Sequence, residues 1–203
     1  MTSAEADNAD PGSVDAEARA ELLGLLQAIH PWDARETADL ARVADWIASG
    51  APLYRGREPD LPAQHLVSYF VVLDQPRNQL LLVAHRKAGL WLPTGGHVEP
   101  YEFPWDAVAR ECLEELHVPA TPSTSFGRRP CFLTVNGARG AHPHTDVSLW
   151  FTVAAAREDI TRYDTGEFEA IAWLTPQQVL QRPIETLDPH MHRFTRKLVS
   201  LLG

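Results

Sequence analysis

The sequence predicts an α/β protein, a mixed β-sheet sandwiched between helices, preceded by an N-terminal helical extension. Three observations carry this. Five runs rich in β-branched and aromatic residues recur between positions 65 and 174, with few helical stretches among them. One helical stretch, 104–117, has a clear apolar face. Two more amphipathic stretches precede the first strand-like run, and two short helices cannot make a core alone.

The elements follow in order. Residues 1–15 are small, acidic and broken by Pro11 and Gly12, and read as a disordered tail. From Ala16 the pattern is helical: Leu22, Leu23, Leu25, Leu26 and Ile29 form a stripe that ends at His30-Pro31. A second helix spans Asp33–Ser49, with Leu40, Val43, Trp46 and Ile47 on its buried side and Gly50 after it. These helices pack on the domain that follows or on a second copy of the chain, as a homodimer. The proline-containing stretch to residue 61 closes the 16–61 extension as a linker, and one domain occupies 62–203.

Within that domain HLVSYFVVLD and QLLLVAHR form a hairpin across a QPRN turn. WLP is a short third segment leading into Gly95-Gly96. The 104–117 helix has Pro104 at its first position and Phe103 as a poor N-cap. CFLTV and DVSLWFTVAA are strands, FEAIAWL is the last strand, and Thr175-Pro-Gln-Gln is a capping box. A final helix follows Asp188-Pro189.

Composition bounds the function. The 203-residue chain carries 18 basic and 27 acidic residues, a net charge of −9, which argues against broad nucleic-acid binding. An anionic substrate would need local cations or metal ions. No run is apolar enough to span a bilayer, and MTSAEADNADPGSVDAEA has neither the basic start nor the apolar segment of a secretory signal. Two cysteines, Cys112 and Cys131, are too few for a disulfide framework, so the expected setting is the reducing cytoplasm.

The chemistry concentrates in Gly95–Val118. On a helical wheel Val108, Cys112 and Leu116 share one face, with Ala109 and Leu113 beside them as core. Glu111, Glu114 and Glu115 then form an adjoining carboxylate face. Like charges one turn apart disfavour a helix by about 0.2–0.5 kcal/mol per pair. Anions in its second half cost roughly 0.3–1 kcal/mol each. Arg110 is the only cation near them, and a hard divalent ion would reverse both penalties. Taken alone, three helical glutamates are a solvated acidic face. The glycines change this, because Gly95 and Gly96 let backbone approach the helix closely and offer a carbonyl ligand. Glu102, eight residues before Arg110, suits a structural ion pair that closes the turn.

The spacing is Gly96, five residues, Glu102, seven residues, Arg110-Glu111, apolar Cys112, one residue, Glu114-Glu115, one residue, then His117 and Val118. This resembles the Nudix box of the Nudix hydrolases at every position but one, His117 standing where the family has a glycine. The resemblance covers about 62–203 and implies a Nudix-like sheet. It implies hydrolysis of a nucleoside diphosphate linked to another moiety, with Mg²⁺ or Mn²⁺. Carried over by position, Glu111 and Glu115 are the principal metal ligands, Glu114 a third and Gly95 a carbonyl donor. The general base comes from the box, with Glu111 the first candidate, or from a later loop, where Glu167 is favoured over Glu169. His117 is expected to change the helix end, with Pro119 as the stop, and to spare the metal site.

Outside the box, Arg86 and Lys87 are candidates to hold phosphate, Arg86 the stronger. His142, His144 and Asp146 resemble a metal cluster by composition; since the family needs no second metal centre, they read as a wall of the substrate cleft. His97 reads as a brace for the glycine loop. Trp91, Phe132 and Trp150 could stack on a base, but core packing is the expected role of each. None of the motifs marking the NADH, coenzyme A, ADP-ribose or dinucleoside-polyphosphate branches is recognised. The rival reading is a non-catalytic Nudix-like ligand-sensing or interaction module, which goes with eroded box acids; here all three are present. RNA-end hydrolysis is a third reading, opposed by the acidic charge.

Overall fold

A computed structural model describes residues 11–56, 62–138 and 144–203. The sheet grows from one long strand, β1 (Gln64–Asp74), whose alternation feeds two cores. β1 pairs in parallel with β6 (His144–Ala154) along one edge. Its other edge pairs antiparallel with β4 (Thr94–His97) and, at its end, with β2 (Gln79–His85). β2 also pairs with β3 (Leu90–Leu92) and β7 (Phe168–Leu174), and β5 (Phe132–Ala138) pairs with β6. The β1–β2 hairpin is formed but pairs at only two positions, through a 3₁₀ turn at Gln75–Arg77. The segment carrying Gly95-Gly96, expected as a turn after a strand, is itself β4.

Helix α3 (Pro104–Leu116) packs on one face, its Val108, Cys112 and Leu116 meeting Leu66, Phe70 and Val72 of β1. α4 (Pro176–Gln181) starts with the reciprocal Thr175–Gln178 capping box. α5 (Met191–Leu202) covers the other face, where Phe194 stacks on Trp150. Phe132 and Trp150 are fully buried, and Trp91 lies under the Arg182 guanidinium, so none of these three lines the cleft. Cys112 and Cys131 are buried free thiols. Among the described residues no helix is long and apolar enough to cross a membrane.

Helix α1 (Pro11–Gln27) starts five residues before Ala16, so the end of the expected tail is helical. α2 (Ala34–Ala48) is capped by Asp33, which accepts from the Glu36 amide. Their apolar stripe joins the α3-side core, so the helices pack on their own domain. Two ion pairs latch α2 to α5: Asp33 with Arg193 at 2.7 Å, and fully buried Glu36 with Lys197 at 2.8 Å. Glu36 Oε1 also accepts from the Leu133 amide, occupying a donor on the edge strand β5.

Two expectations for α3 need correction. Leu113 is 58% exposed, and Glu115 lies within the buried stripe with only 4% exposure. The helix seats Val108, Cys112, Glu115 and Leu116 inward, and Leu113, one residue past Cys112, swings about 100° off that face. The helix end is corrected as well. His117 takes the left-handed conformation itself, at φ 57°, so the turn usually made by glycine is kept.

Candidate active site

Gly95 and Gly96 both stand where a side chain would meet a neighbour, backbone at Gly95 and the Glu111 side chain at Gly96. Gly95 has φ 131°, and a Cβ there would overlap the Ser68 carbonyl. A Cβ on Gly96 would overlap the Glu111 carboxylate. Backbone therefore lies directly against the acidic helix, and the Gly95 amide donates to Glu115 Oε2 at 3.0 Å.

Arg110 ties loop to helix. It donates to both Glu102 oxygens (2.9 and 3.0 Å), to the His97 carbonyl at 3.0 Å and to Glu111 Oε1 at 2.6 Å. Glu102 in turn accepts from the Glu99 amide. The Glu102–Arg110 pair is thus formed, and it fixes the 97–102 loop against α3. These carboxylates raise the Arg110 pKa further, so it stays charged.

A cleft of about 350 Å³ opens beside this clamp. Glu111, Glu115, Glu167, Gly95 and Gly96 line it, together with Glu99, Asp146, His85, His97, His144, Val67 and Tyr69. Glu114 does not; its side chain is 62% exposed, 3.7 Å from Arg110. Of the three box carboxylates expected on one face, the fold brings two into the cleft. A larger groove of about 870 Å³ near the C-terminus has, among its described lining residues, one acidic side chain, Asp74, already bound to Arg77 and the Arg157 amide.

Glu167 reaches the cleft from the turn before β7. That turn is pinned to the helix end, where the Asp164 amide donates to the Glu115 carbonyl at 2.7 Å. Arg86 holds it from the other side, its amide donating to the Glu167 carbonyl and its Nε to the Thr165 carbonyl, both at 3.0 Å. The Arg86 side chain is therefore committed to the turn and lies outside the cleft lining, as do Lys87 and Glu169. Its neighbour His85 faces the cleft, at a bulge where β2 slips against β7. His85 Nδ1 accepts from the Lys87 amide at 3.2 Å, and its Nε2 lies 3.3 Å from Glu167 Oε1.

Sequence reasoning missed His85, Tyr69 and His65. Their signal was the strand period: His65, Val67 and Tyr69 alternate along β1 on one face. His97, read as a brace, does brace through its carbonyl, and its ring also lines the cleft. Burial, then neighbouring His65 and Arg55, lowers its pKa to about 4. His142 lies outside the described residues.

The cleft is strongly acidic. Five carboxylates line it, and no lysine or arginine does among the described residues. Burial, then the Glu111 charge, pushes Glu115 up to about 9. Burial raises Glu111 too, against the opposing pull of Arg110. A buried and a part-buried carboxylate side by side, with only Glu111 reached by a cation and both edged by close-packed backbone, fit a hard divalent ion with oxygen ligands.

The NUDIX domain model matches residues 64–198, more than half of the chain. The chain belongs to the Nudix family and is a Nudix-type hydrolase, a family whose members hydrolyse pyrophosphate bonds in nucleoside diphosphate derivatives. Solved structures share its fold. A NUDIX-family hydrolase from Clostridium perfringens aligns at 20% identity and TM-score 0.52, over 68% of this chain and 97% of that one. A MutT NUDIX hydrolase from Burkholderia pseudomallei aligns at 20% and 0.51, over 66% and 98%. A MutT protein from Methanosarcina mazei aligns at 16% and 0.53, over 72% and 97%. No curated protein matches the chain.

Proposed function

We propose that the chain hydrolyses the pyrophosphate bond of a nucleoside diphosphate linked to another moiety, a small nucleotide-type substrate, with Mg²⁺ or Mn²⁺. One observation carries this: Glu111, Glu115 and Glu167 converge with Gly95 in a cleft that has five acids and no lysine or arginine among its described lining residues. A diphosphate would be repelled there unless metal ions accompany it.

Glu111 and Glu115 would hold the ion, with the Gly95 carbonyl as a further ligand, whereas Glu114 lies outside the cleft. Such an ion neutralises phosphate charge and lowers the pKa of water. Arg110 keeps Glu111 in place and spans to Glu102, so the ligand helix and glycine strand keep one spacing. Glu167 is the better candidate for general base. It lines the cleft, has the His85 ring 3.3 Å away, and is not engaged by Arg110, whereas Glu111 is. Arg86 serves by holding the Glu167 turn rather than by touching phosphate.

The test is a panel of nucleoside diphosphate derivatives incubated with Mg²⁺, read as phosphate released after a phosphatase. Turnover of at least one, abolished by chelator, is expected. No turnover of any compound across the panel would remove the proposal.

A further inference from the structure

We propose that His65, His144 and Asp146 form a second metal site, separate from the glutamate site and suited to a borderline divalent cation of the zinc type. Strand register assembles it. β1 and β6 run parallel with His65 opposite Asp146, and His144, two residues before Asp146, projects to the same face. One ligand atom from each lies within 4.8 Å of the others. Asp146 Oδ1 is 3.0 Å from His65 Nε2 and 3.4 Å from His144 Nε2. Tetrahedral zinc, with bonds of about 2.0–2.2 Å, sets its ligand atoms roughly 3.3 Å apart. Two of the spacings already lie near that value.

Polar satisfaction points the same way. His65 is 2% exposed, and neither its Nε2 nor Asp146 Oδ1 has a hydrogen-bond partner among the described residues. Their approach lacks hydrogen-bond alignment, and buried orphaned polar atoms are rare in folded proteins. The other ring nitrogen, Nδ1, lies 3.4 Å from the Pro62 carbonyl, to which it can only donate. In the neutral ring this turns the Nε2 lone pair toward a carboxylate oxygen, an arrangement that a cation between them satisfies. A ring N–H held by a backbone carbonyl on the far side is how metal-bound histidines are oriented.

The ligand set differs from the glutamate site in softness. Imidazole suits zinc and its neighbours, whereas carboxylates and carbonyls suit magnesium and manganese. Three protein ligands leave a fourth position open. His144 and Asp146 line the catalytic cleft, so that position opens on it. A cation there supplies positive charge to a wall that has no lysine or arginine among its described residues.

Metal content tests this without reference to turnover, so the result is independent of the hydrolysis reading. Untagged, chelator-stripped protein is saturated with Mg²⁺ and titrated with Co²⁺ as a spectroscopic stand-in for zinc. Bound zinc is counted in parallel by mass spectrometry. The expected result is one Co²⁺ or Zn²⁺ per chain, with the visible bands of four-coordinate cobalt. Asp146→Asn and His144→Ala should each weaken binding at least about tenfold, and Glu111→Gln and Glu115→Gln should leave it unchanged. Circular dichroism checks each fold; if Asp146→Asn does not fold, the partly exposed His144→Ala decides. No binding to Mg²⁺-saturated wild type, or binding that survives every folded variant of this pair, would overturn the proposal. So would binding lost only on glutamate substitution.

Discussion

Single residues set the spacing between the glycine strand and the acidic helix. Gly95 is held at a positive φ against the Ser68 carbonyl, so Gly95→Ala should destabilise the fold by about 2–4 kcal/mol, measured by denaturant unfolding. Gly96 has ordinary backbone, and its added methyl would displace only the Glu111 side chain. Gly96→Ala should therefore fold normally and lose activity. His117→Gly should raise stability by about 1 kcal/mol, because a left-handed residue with a Cβ costs roughly that much. An unchanged or lowered midpoint would show that the His117 side chain supports the helix end by other contacts. The box itself was legible in the sequence because its residues follow one another at helical and turn spacing. Glu114 was misplaced because a wheel ranks directions without saying where the sheet lies. The sheet sits on the Glu115 side, which leaves Glu114 in solvent.

At the scale of elements, strands were legible from composition and the helices from period. The β4 pairing of Gly95-Gly96 was not, since glycine has low strand propensity and only the partner strand makes it extended. The His65–Asp146 juxtaposition was equally hidden, because register between strands 81 positions apart is a tertiary outcome. The extension is attached by charges whose pH dependence can be worked out. Arg193 holds the Asp33 carboxyl at about 2, below its ordinary 3.8. The resulting stabilisation is fully present above about pH 4 and is lost as pH falls through 2. Asparagine caps a helix as well as aspartate does, so Asp33→Asn isolates the charge. With this pair partly exposed, it should cost about 1 kcal/mol at pH 7 and fade as pH falls below 2, read from thermal midpoints. Lys197→Met leaves Glu36 buried without its cation and should cost about 3–5 kcal/mol. Much of that should return in the Glu36→Gln/Lys197→Met double variant.

Across the whole molecule, the chain concentrates acidity where its substrate would bind. The net charge of −9 already pointed to metal ions as the means of bringing phosphate in, and the cleft localises that requirement. In the proposed reaction the sheet divides the labour: α3 and β4 would carry the diphosphate chemistry, the turn before β7 brings Glu167 to the cleft, and β1 with β6 builds the opposite wall. The central claim is that Glu111 and Glu115 make this cleft a metal-dependent pyrophosphate hydrolase. It is tested most directly by kcat/KM on the best substrate of the panel, with Mg²⁺, for wild type, Glu111→Gln and Glu115→Gln, each shown to be folded. A fall of about 100-fold or more in both variants is expected. Wild-type rates in either would contradict the account.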